Sequence, residues 1–257
     1  MTKKQYVYGL IGYPLSHSFS KKYFTEKFAK EGIEQSKYEL FPLNHINELP
    51  ELLIKQPNLR GLNVTIPYKQ SVISYLHEIA EEAKAIGAVN VVKISDGQLK
   101  GFNSDAYGFE KSLTDLLAEK PSISSDLQAL ILGTGGASKA IRYVLDKMNI
   151  AYRFVTRTKM EEGFIYDEIT PAILREYRLV INCTPLGTYP NEDTFPSLPY
   201  HAVTKSHFFY DLVYNPAETL FLKKGKVNGA STLNGLPMLH LQAERSWEIW
   251  RGNELIA

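Results

Sequence analysis

The clearest indication of the fold is the stretch L-I-L-G-T-G-G-A-S, at Leu130 to Ser138. It is an apolar run that ends in a glycine-rich turn, and a helical pattern follows from Ala137 to Met148. Glycines let the backbone bend sharply after a strand and approach a pyrophosphate, while the helix N-terminus offers N–H groups. The turn predicts a dinucleotide site, although glycine also serves turn geometry alone. The predicted cofactor residues here are Gly133, Gly135, Gly136, Ala137 and Ser138.

The next predicted strand, Tyr152 to Val155, bears on which dinucleotide binds. A site for NAD usually places an acidic residue after this strand, against the ribose 2′-hydroxyl. Here the strand is followed by T-R-T-K, whose basic and hydroxyl side chains suit a 2′-phosphate. We therefore predict NADP, with Thr156, Arg157 and Thr158 at its phosphate. A solvated basic loop is the alternative interpretation.

Strands alternate with helices on both sides of this stretch. Downstream, apolar runs at Leu179 to Cys183 and His207 to Val213 extend a doubly wound sheet. Upstream, the βαβ order favours a second, parallel sheet. Its predicted strands are Tyr6 to Ile11, Tyr38 to Leu43 and Gly61 to Ile66, with helices at Ser18 to Lys30 and Ile46 to Lys55.

The remaining segments predict how the two sheets are joined. A helix is expected from Lys69 through Ala85, and Asp96-Gly97 suits the tight turn of a hairpin. Linking and closing helices are expected at Asp105 to Ala118 and Leu236 to Trp250, with a polar break at Pro121 to Asp126. The fold class is therefore α/β with two lobes. Residues 1–104 plus 236–257 form an α/β substrate-binding lobe, and residues 105–235 form a Rossmann-like, doubly wound NADP-binding lobe.

Composition limits the partners. The chain has 257 residues, and 29 Lys plus Arg against 28 Asp plus Glu give a net charge of +1. This balance predicts a small-molecule substrate, and no nucleic acid or membrane partner. The single cysteine, Cys183, predicts a reducing, cytoplasmic location and no metal site. No apolar run approaches the ~18 residues of a membrane span, and no signal peptide is evident. A monomer or homodimer is expected.

Two polar stretches each carry one side chain that can move a proton. N-V-T-I-P-Y-K ends at Lys69, and G-F-N-S-D-A-Y-G contains Asp105. An ammonium and a carboxylate among amide and hydroxyl groups suit a hydroxylated ring that gains or loses a proton at one oxygen. Beside a nicotinamide, such a pair predicts oxidation of an alcohol or reduction of a ketone. A plain structural salt bridge is the alternative.

Taken in order, the motifs of this chain resemble those of the shikimate dehydrogenase family over nearly its whole length. The matching segments are G-Y-P with H-S-F-S at 12–20, N-V-T with Lys69 at 63–69, G-A-V-N at 87–90, G-F-N-S-D-A-Y-G at 101–108, the glycine turn, T-R-T at 156–158, I-N-C-T-P-L-G at 181–187, D-L-V-Y-N-P at 211–216 and N-G-L-P-M-L with Q-A at 234–243. Some positions depart conservatively from the family pattern, such as Ser104 in place of threonine.

The resemblance implies NADP-dependent, reversible reduction of 3-dehydroshikimate to shikimate in the biosynthesis of aromatic amino acids through chorismate. It makes Lys69 and Asp105 the catalytic pair. Thr184, Leu212 and Gly235 join the cofactor residues. The implied substrate-binding residues are Ser18, Ser20, Asn63, Thr65, Asn90, Tyr214 and Gln242.

Other interpretations stay open at this point. Ser18 and Ser20 can cap the following helix instead, and His17 is expected to be structural. The rival functions are a dehydrogenase that uses both quinate and shikimate, a non-catalytic sensor of a shikimate-type ligand, and a two-lobe folate-type dehydrogenase. Basic Arg157 and the serine pair argue against the first, and the presence of Lys69 and Asp105 argues against the second.

Overall fold

The computed structural model describes residues 5–15, 18–121 and 126–252. His17 and residues 122–125 of the predicted polar break lie outside the described residues. The chain divides into two compact units: unit 1 is Met1–Ser104 with Ala243–Ala257, and unit 2 is Asp105–Gln242. The predicted substrate and cofactor lobes, with boundaries at 104 and 236, stay a prediction, because a compact unit is not by itself a functional one.

Unit 1 is built on a mixed sheet of order β2-β1-β3-β5-β6-β4. Strand β1 pairs in parallel with β2 and β3, as the βαβ order predicted, whereas β5 runs antiparallel to β3 and β6. The elements are β1 (Tyr6–Gly12), α1 (Phe19–Lys30), β2 (Ser36–Pro42), α2 (Leu49–Lys55), β3 (Leu59–Val64), β4 (Glu78–Ile79), α3 (Glu81–Ile86), β5 (Val91–Ser95) and β6 (Gln98–Phe102).

The β5–β6 hairpin has the tight turn that the sequence predicted. Ser95 and Gln98 pair across it, and the two residues between them, Asp96 and Gly97, have φ angles of +50° and +77°. Both positive angles match a type I′ turn, which follows the twist of the flanking strands. This turn returns the chain to the edge of the sheet at which β3 ends.

The predicted helix from Lys69 through Ala85 is wrong over most of its length. A 3₁₀ turn covers Ser71–Tyr75, the short strand β4 follows, and only α3 is α-helical. The reason is pairing with β6: the His77 N–H donates to the Leu99 carbonyl at 2.9 Å, and the Ala80 N–H donates to that of Gly101 at 2.9 Å. These tertiary hydrogen bonds outweigh a weak helical periodicity.

Unit 2 is built on an entirely parallel sheet of order β12-β11-β10-β7-β8-β9. The order reverses between β7 and β10, which is the switch point of a doubly wound fold. The elements from residue 104 onward are α4 (Ser104–Ala118), β7 (Gln128–Leu132), α5 (Gly136–Lys147), β8 (Ala151–Thr156), β9 (Gly163–Ile165), α6 (Pro171–Glu176), β10 (Leu179–Asn182), β11 (Phe208–Asp211), α7 (Leu220–Val227), β12 (Ser231–Leu233) and α8 (Leu236–Arg251).

One face of the sheet in unit 1 carries an aromatic core. Phe24 stacks on Tyr38 with ring centroids 4.7 Å apart, and Trp247 and Trp250 of α8 pack in the same cluster. The Trp250 ring lies directly over Gly61, because a Cβ at that glycine would stand 2.3 Å from its Nε1. Burying such rings stabilises the fold by roughly 1.5–3 kcal/mol each. The last two turns of α8 are thereby fixed on unit 1.

Within residues 5–15, 18–121 and 126–252, no helix has both the length and the apolarity that are needed to cross a lipid bilayer.

Candidate active site and cofactor site

The predicted substrate residues of unit 1 gather at one edge of its sheet. Because β1 and β3 are parallel, the segments after them, with Ser18 and Ser20 on one and Thr65 and Lys69 on the other, leave from the same edge. Asn90 reaches this edge from the opposite direction, since β5 is antiparallel to β3 and the Asn90 carbonyl accepts from the Val64 N–H at 2.9 Å. The fold thus assembles five of the predicted side chains.

The serine pair after β1 has two different roles. The Ser18 hydroxyl oxygen accepts from the Lys21 N–H at 3.3 Å and caps α1, so the capping interpretation is confirmed for this residue. Ser20, the second residue of the helix, hydrogen-bonds through its side chain to the Tyr38 hydroxyl. Capping leaves Ser18 able to donate one hydrogen bond to a ligand, because a hydroxyl both donates and accepts.

A set of buried polar side chains, here called the amide–hydroxyl network, runs beneath this edge. Asn63 accepts from the Tyr38 hydroxyl at 2.8 Å and donates to Ser246 Oγ at 2.9 Å. Asn90 accepts from the Ser104 N–H at 2.7 Å and donates to Ser104 Oγ at 3.0 Å. The Ser104 and Ser246 hydroxyls lie 3.2 Å apart and join the two halves. Five neutral side chains therefore satisfy one another inside unit 1.

The two residues predicted to be catalytic belong to different units, Lys69 to unit 1 and Asp105 to unit 2. Lys69 is half-buried, and its carbonyl accepts from the Val89 N–H at 2.7 Å, which ties the segment after β3 to the start of β5. Asp105 is 9% exposed in the first turn of α4, one residue after Ser104. A carboxylate in that position also benefits from the helix dipole. Pairing of the two side chains stays a prediction.

Tyr214 and Gln242, the other predicted substrate residues, belong to unit 2. Tyr214 is 39% exposed, whereas Gln242 is buried on α8 and donates to the Leu239 carbonyl at 3.0 Å. Gly108 of α4 explains the close approach of the two helices, since a Cβ there would stand 2.6 Å from the Met238 carbonyl oxygen. The glycine that ends the G-F-N-S-D-A-Y-G motif is thus required by packing.

The glycine turn lies at the switch point of the sheet in unit 2. Gly133 has a φ of +91°, and a Cβ there would stand 2.9 Å from Thr184 Cγ2 in the loop after β10. At Gly136, by contrast, a Cβ would meet no described atom within 4 Å. The turn is closed on the side of the sheet and open above Gly136. A pyrophosphate needs such an open approach to the backbone.

The N-terminus of α5 is arranged to receive an anion. Gly135 is its N-cap residue, and no side chain of the described residues caps it. Ser138 turns inward and donates to the Gly135 carbonyl at 2.7 Å, so its hydroxyl holds the turn. The first N–H groups of a twelve-residue helix then face outward with the positive end of its dipole. These residues fit a dinucleotide pyrophosphate.

The segment after β8 offers one uncommitted cation. Thr156 donates its hydroxyl hydrogen to the Thr158 carbonyl, and Lys159 binds Glu168 with an N–O distance of 2.6 Å. Arg157 is exposed, and the structure gives it no hydrogen bond or ion pair with the described residues. Its guanidinium suits a 2′-phosphate, whereas Lys159 is already neutralised.

A buried carboxylate, Asp211, holds the two loops at the ends of β10 and β11. It accepts from Asn182 Nδ2 at 2.9 Å, from the Val213 N–H at 3.0 Å and from the Thr219 hydroxyl at 2.5 Å. Asn182 in turn accepts from the Thr184 hydroxyl at 2.6 Å. Burial raises the pKa of Asp211 to about 6, and these hydrogen bonds oppose the rise. We call this set the Asp211 cluster.

Leu212 and Gly235, also predicted at the cofactor, touch each other through their backbones. A Cβ at Gly235 would stand 2.2 Å from the Leu212 carbonyl oxygen, and the Gly235 N–H donates to the Val213 carbonyl at 3.1 Å. Glycine is therefore needed at 235 for this packing. A metal cluster is a separate question: among the described residues, no three His, Cys, Asp or Glu side chains come together as a metal ion would require.

Several known proteins are similar in sequence to this chain. Residues 10–92 match the family model described as the shikimate dehydrogenase substrate binding domain. The chain is 39% identical, over 95% of its length and 91% of the relative's, to the shikimate dehydrogenase (NADP(+)) of Carboxydothermus hydrogenoformans. The chain belongs to the shikimate dehydrogenase family. Membership confirms the predicted fold class, with its Rossmann-like lobe.

Solved structures of a shikimate dehydrogenase and of a quinate dehydrogenase share this fold. A crystal structure of a shikimate dehydrogenase in complex with NADP+ has a TM-score of 0.83 and 33% identity, covering 96% of this chain and 90% of that one. The quinate dehydrogenase from Corynebacterium glutamicum, in complex with NAD, has a TM-score of 0.84 at 25% identity, covering 97% and 94%. The second likeness shows that one fold carries more than one specificity.

Some residues that shape the site of this shikimate dehydrogenase family member were missed by sequence reasoning. Tyr38 and Ser246 looked like ordinary strand and helix residues, and Thr219 lay in an unassigned segment. Polar side chains at otherwise apolar positions were the available signal, because a buried polar group needs a partner. The identity of that partner depends on the tertiary fold.

Proposed function

We propose that this protein catalyses the NADP-dependent, reversible reduction of 3-dehydroshikimate to shikimate. The observation that carries the proposal is the 39% identity to a shikimate dehydrogenase (NADP(+)) over 95% of the chain, which extends across both units. The open glycine turn at Gly136 and the cation at Arg157 support NADP as the cofactor. A reducing, cytoplasmic setting and a monomer or homodimer that needs only small molecules complete the proposal.

The side chains at the sheet edge of unit 1 suit a carboxylated ring with several hydroxyl groups. Ser18, Ser20, Asn63, Thr65 and Asn90 offer hydroxyl and amide groups and carry no charge. A site built from such groups rejects analogues that lack a matching hydroxyl, because its own polar groups would then stay unpaired. We propose that Tyr214 and Gln242 of unit 2 complete the substrate contacts.

Lys69 and Asp105 are the proposed proton-handling residues. During reduction, the Lys69 ammonium donates a proton to the oxygen that becomes the new hydroxyl, or stabilises its negative charge. Asp105 accepts a hydrogen bond from a ring hydroxyl and orients the lysine. NADPH, when bound, supplies the hydride. Oxidation of shikimate follows the same steps in reverse, with Lys69 as the base.

The test is an absorbance assay at the nicotinamide band with four combinations: shikimate or quinate, each with NADP or NAD. We expect turnover with shikimate and NADP to exceed every other combination by at least about tenfold in kcat/KM, since Arg157 serves only the 2′-phosphate. If neither shikimate nor quinate is oxidised with either cofactor, the proposal is wrong.

A Lys69→Ala variant tests the mechanism. Loss of a general acid–base group lowers kcat by about 10²–10⁴-fold, and shikimate should still bind, as measured by calorimetry. The matched control is Lys22→Ala on α1, which removes a lysine side chain that is 80% exposed and should leave kcat unchanged. Near-normal kcat in Lys69→Ala would rule out the proposed role.

Dual use of quinate is the second candidate function. It is favoured by one observation, the TM-score of 0.84 to a quinate dehydrogenase in complex with NAD. The absence of an acid after β8, where Thr156 is followed by Arg157, opposes it. The four-way assay separates the two, because a dual enzyme would oxidise quinate at a comparable kcat/KM.

A further inference from the structure

We propose that Tyr38 is a positioning residue for the substrate, because its hydroxyl fixes the orientation of two proposed substrate-binding side chains, Ser20 and Asn63. Tyr38 lies on β2 and is 1% exposed, so it does not itself reach the ligand. The inference rests on the proposed function, in which Ser20 and Asn63 contact the substrate.

The Tyr38 hydroxyl stands between the two side chains. Ser20 hydrogen-bonds to it, and the serine is the donor because the phenol has a single hydrogen and that hydrogen is used elsewhere. The phenol then donates its own hydrogen to Asn63 Oδ1 at 2.8 Å. One tyrosine thereby links the first turn of α1 to β3, the two elements that bring substrate residues to the sheet edge.

This arrangement leaves each partner one orientation. With its hydrogen on Tyr38, the Ser20 oxygen presents lone pairs to a ligand, so it acts as an acceptor. A reversed Asn63 amide would place its oxygen against the Asn90 carbonyl oxygen, which only accepts and lies 3.4 Å from Nδ2. With both Nδ2 hydrogens donated, the amide offers a ring hydroxyl the second lone pair of Oδ1 in a fixed position.

Packing holds the tyrosine ring in place. It stacks on Phe24 at an interplanar angle of 11°, and Trp250 lies 6.3 Å away on the same cluster. A rigid ring keeps its hydroxyl within bonding distance of both partners in the absence of ligand. Preorganised groups lower the free-energy cost of ordering the site when substrate binds.

The decisive variant is Tyr38→Phe, which keeps the ring and removes only the hydroxyl. We expect the KM for shikimate to rise about tenfold, while the KM for NADP stays within about twofold. Tyr210→Phe is the matched control: Tyr210 is fully buried in unit 2, and its hydroxyl lies 2.7 Å from that of Ser112. It should lose similar stability and leave both KM values unchanged.

A double-mutant cycle shows whether Tyr38 acts through Asn63. In an Asn63→Ala background, Tyr38→Phe should raise the KM for shikimate by only about threefold, since Ser20 is then the one remaining partner through which it acts. If the two substitutions instead multiply, or if Tyr38→Phe alone leaves that KM unchanged, the inference fails. The wild-type assay separates this from failure of the proposed function, which would show as no turnover before any substitution.

A second variant covers the case in which Tyr38→Phe does not fold. Ser246→Ala removes the nearer of the two acceptors of Asn63 Nδ2 and places a good helix former on α8. Its expected effect is a smaller rise, about threefold, in the KM for shikimate alone. An unchanged KM in this variant would overturn the inference on its own.

Discussion

Units 1 and 2 stabilise their site-bearing loops with buried side-chain hydrogen bonds, but of different chemistry. The amide–hydroxyl network of unit 1 consists of Tyr38, Asn63, Asn90, Ser104 and Ser246, which all stay neutral. The Asp211 cluster of unit 2 depends on one carboxylate. A charged acceptor makes stronger bonds but is costly to bury. The loops of unit 2 are therefore held by stronger hydrogen bonds than those of unit 1, and their stability depends more on pH.

The largest expected effect on stability is that of Asp211→Ala. It would leave three buried donors without an acceptor, at a cost of about 3–5 kcal/mol in the free energy of unfolding. The comparable change in unit 1, Asn63→Ala, should cost less, about 1–3 kcal/mol, since its partners are neutral hydroxyl groups. Urea unfolding followed by circular dichroism measures both values.

The tryptophans allow the two units to be observed separately. Both tryptophans of the chain, Trp247 and Trp250, lie in the core of unit 1. In Asp211→Ala, the transition seen by circular dichroism should begin at lower urea than the one seen by tryptophan fluorescence; in Asn63→Ala, fluorescence should change first. Coincident transitions in both variants would mean that the units unfold as one, and the expected difference in stability between unit 1 and unit 2 would be wrong.

The two units also differ in how much of them the sequence predicted. The glycine turn, the strands around it and the hairpin at Asp96-Gly97 were identified because each depends on local backbone chemistry. The β4 edge strand was missed, as were the three-residue strands β9 and β12, because their formation depends on pairing with β6, β8 and β11. Strands of two or three residues are too short to show a recognisable alternation of polar and apolar side chains.

The same limit applies to the candidate site. Motif residues such as Asn63 and Asn90 were found by resemblance, and the structure brings them to one sheet edge. The partners that orient them, Tyr38 and Ser246, are distant in sequence, and the local pattern shows a polar group at an apolar position without showing what it binds. Residues that contact a ligand are thus easier to predict from the sequence than the residues that position them.

A smaller effect is expected from pH, and it should arise in unit 2. His207 is buried and neutral: its Nδ1 accepts from the Thr204 N–H at 3.0 Å and its Nε2 donates to the Leu174 carbonyl at 2.9 Å. Burial lowers the pKa of His207. The unfolded chain therefore binds a proton first, and stability from this group is lost as pH falls below about 6.5.

The measurement compares wild type with His207→Gln between pH 7.5 and 5.5. Wild type should lose about 1–2 kcal/mol more than the variant over this interval, because protonation of Nδ1 breaks a buried hydrogen bond. Asp211 titrates in the opposite sense, since its raised pKa adds stability as pH falls through about 6. Because both proteins contain Asp211, its contribution cancels when the loss of stability in the variant is subtracted from that in wild type. If the free energy of unfolding fell equally with pH in both proteins, groups other than His207 would cause the acid sensitivity.

The smallest expected effect separates charges that are already paired from those that are not. Lys159 and Arg157 lie two residues apart after β8, but Lys159 binds Glu168. Lys159→Met should therefore change the KM for NADP by less than about twofold, whereas Arg157→Met should raise it by at least about tenfold and leave the KM for NAD unchanged. An equal rise in the KM for NADP in both variants would show that Lys159 leaves Glu168 to bind the phosphate. The exposed ion pairs of unit 2 would then exchange partners, unlike the buried hydrogen bonds of its Asp211 cluster.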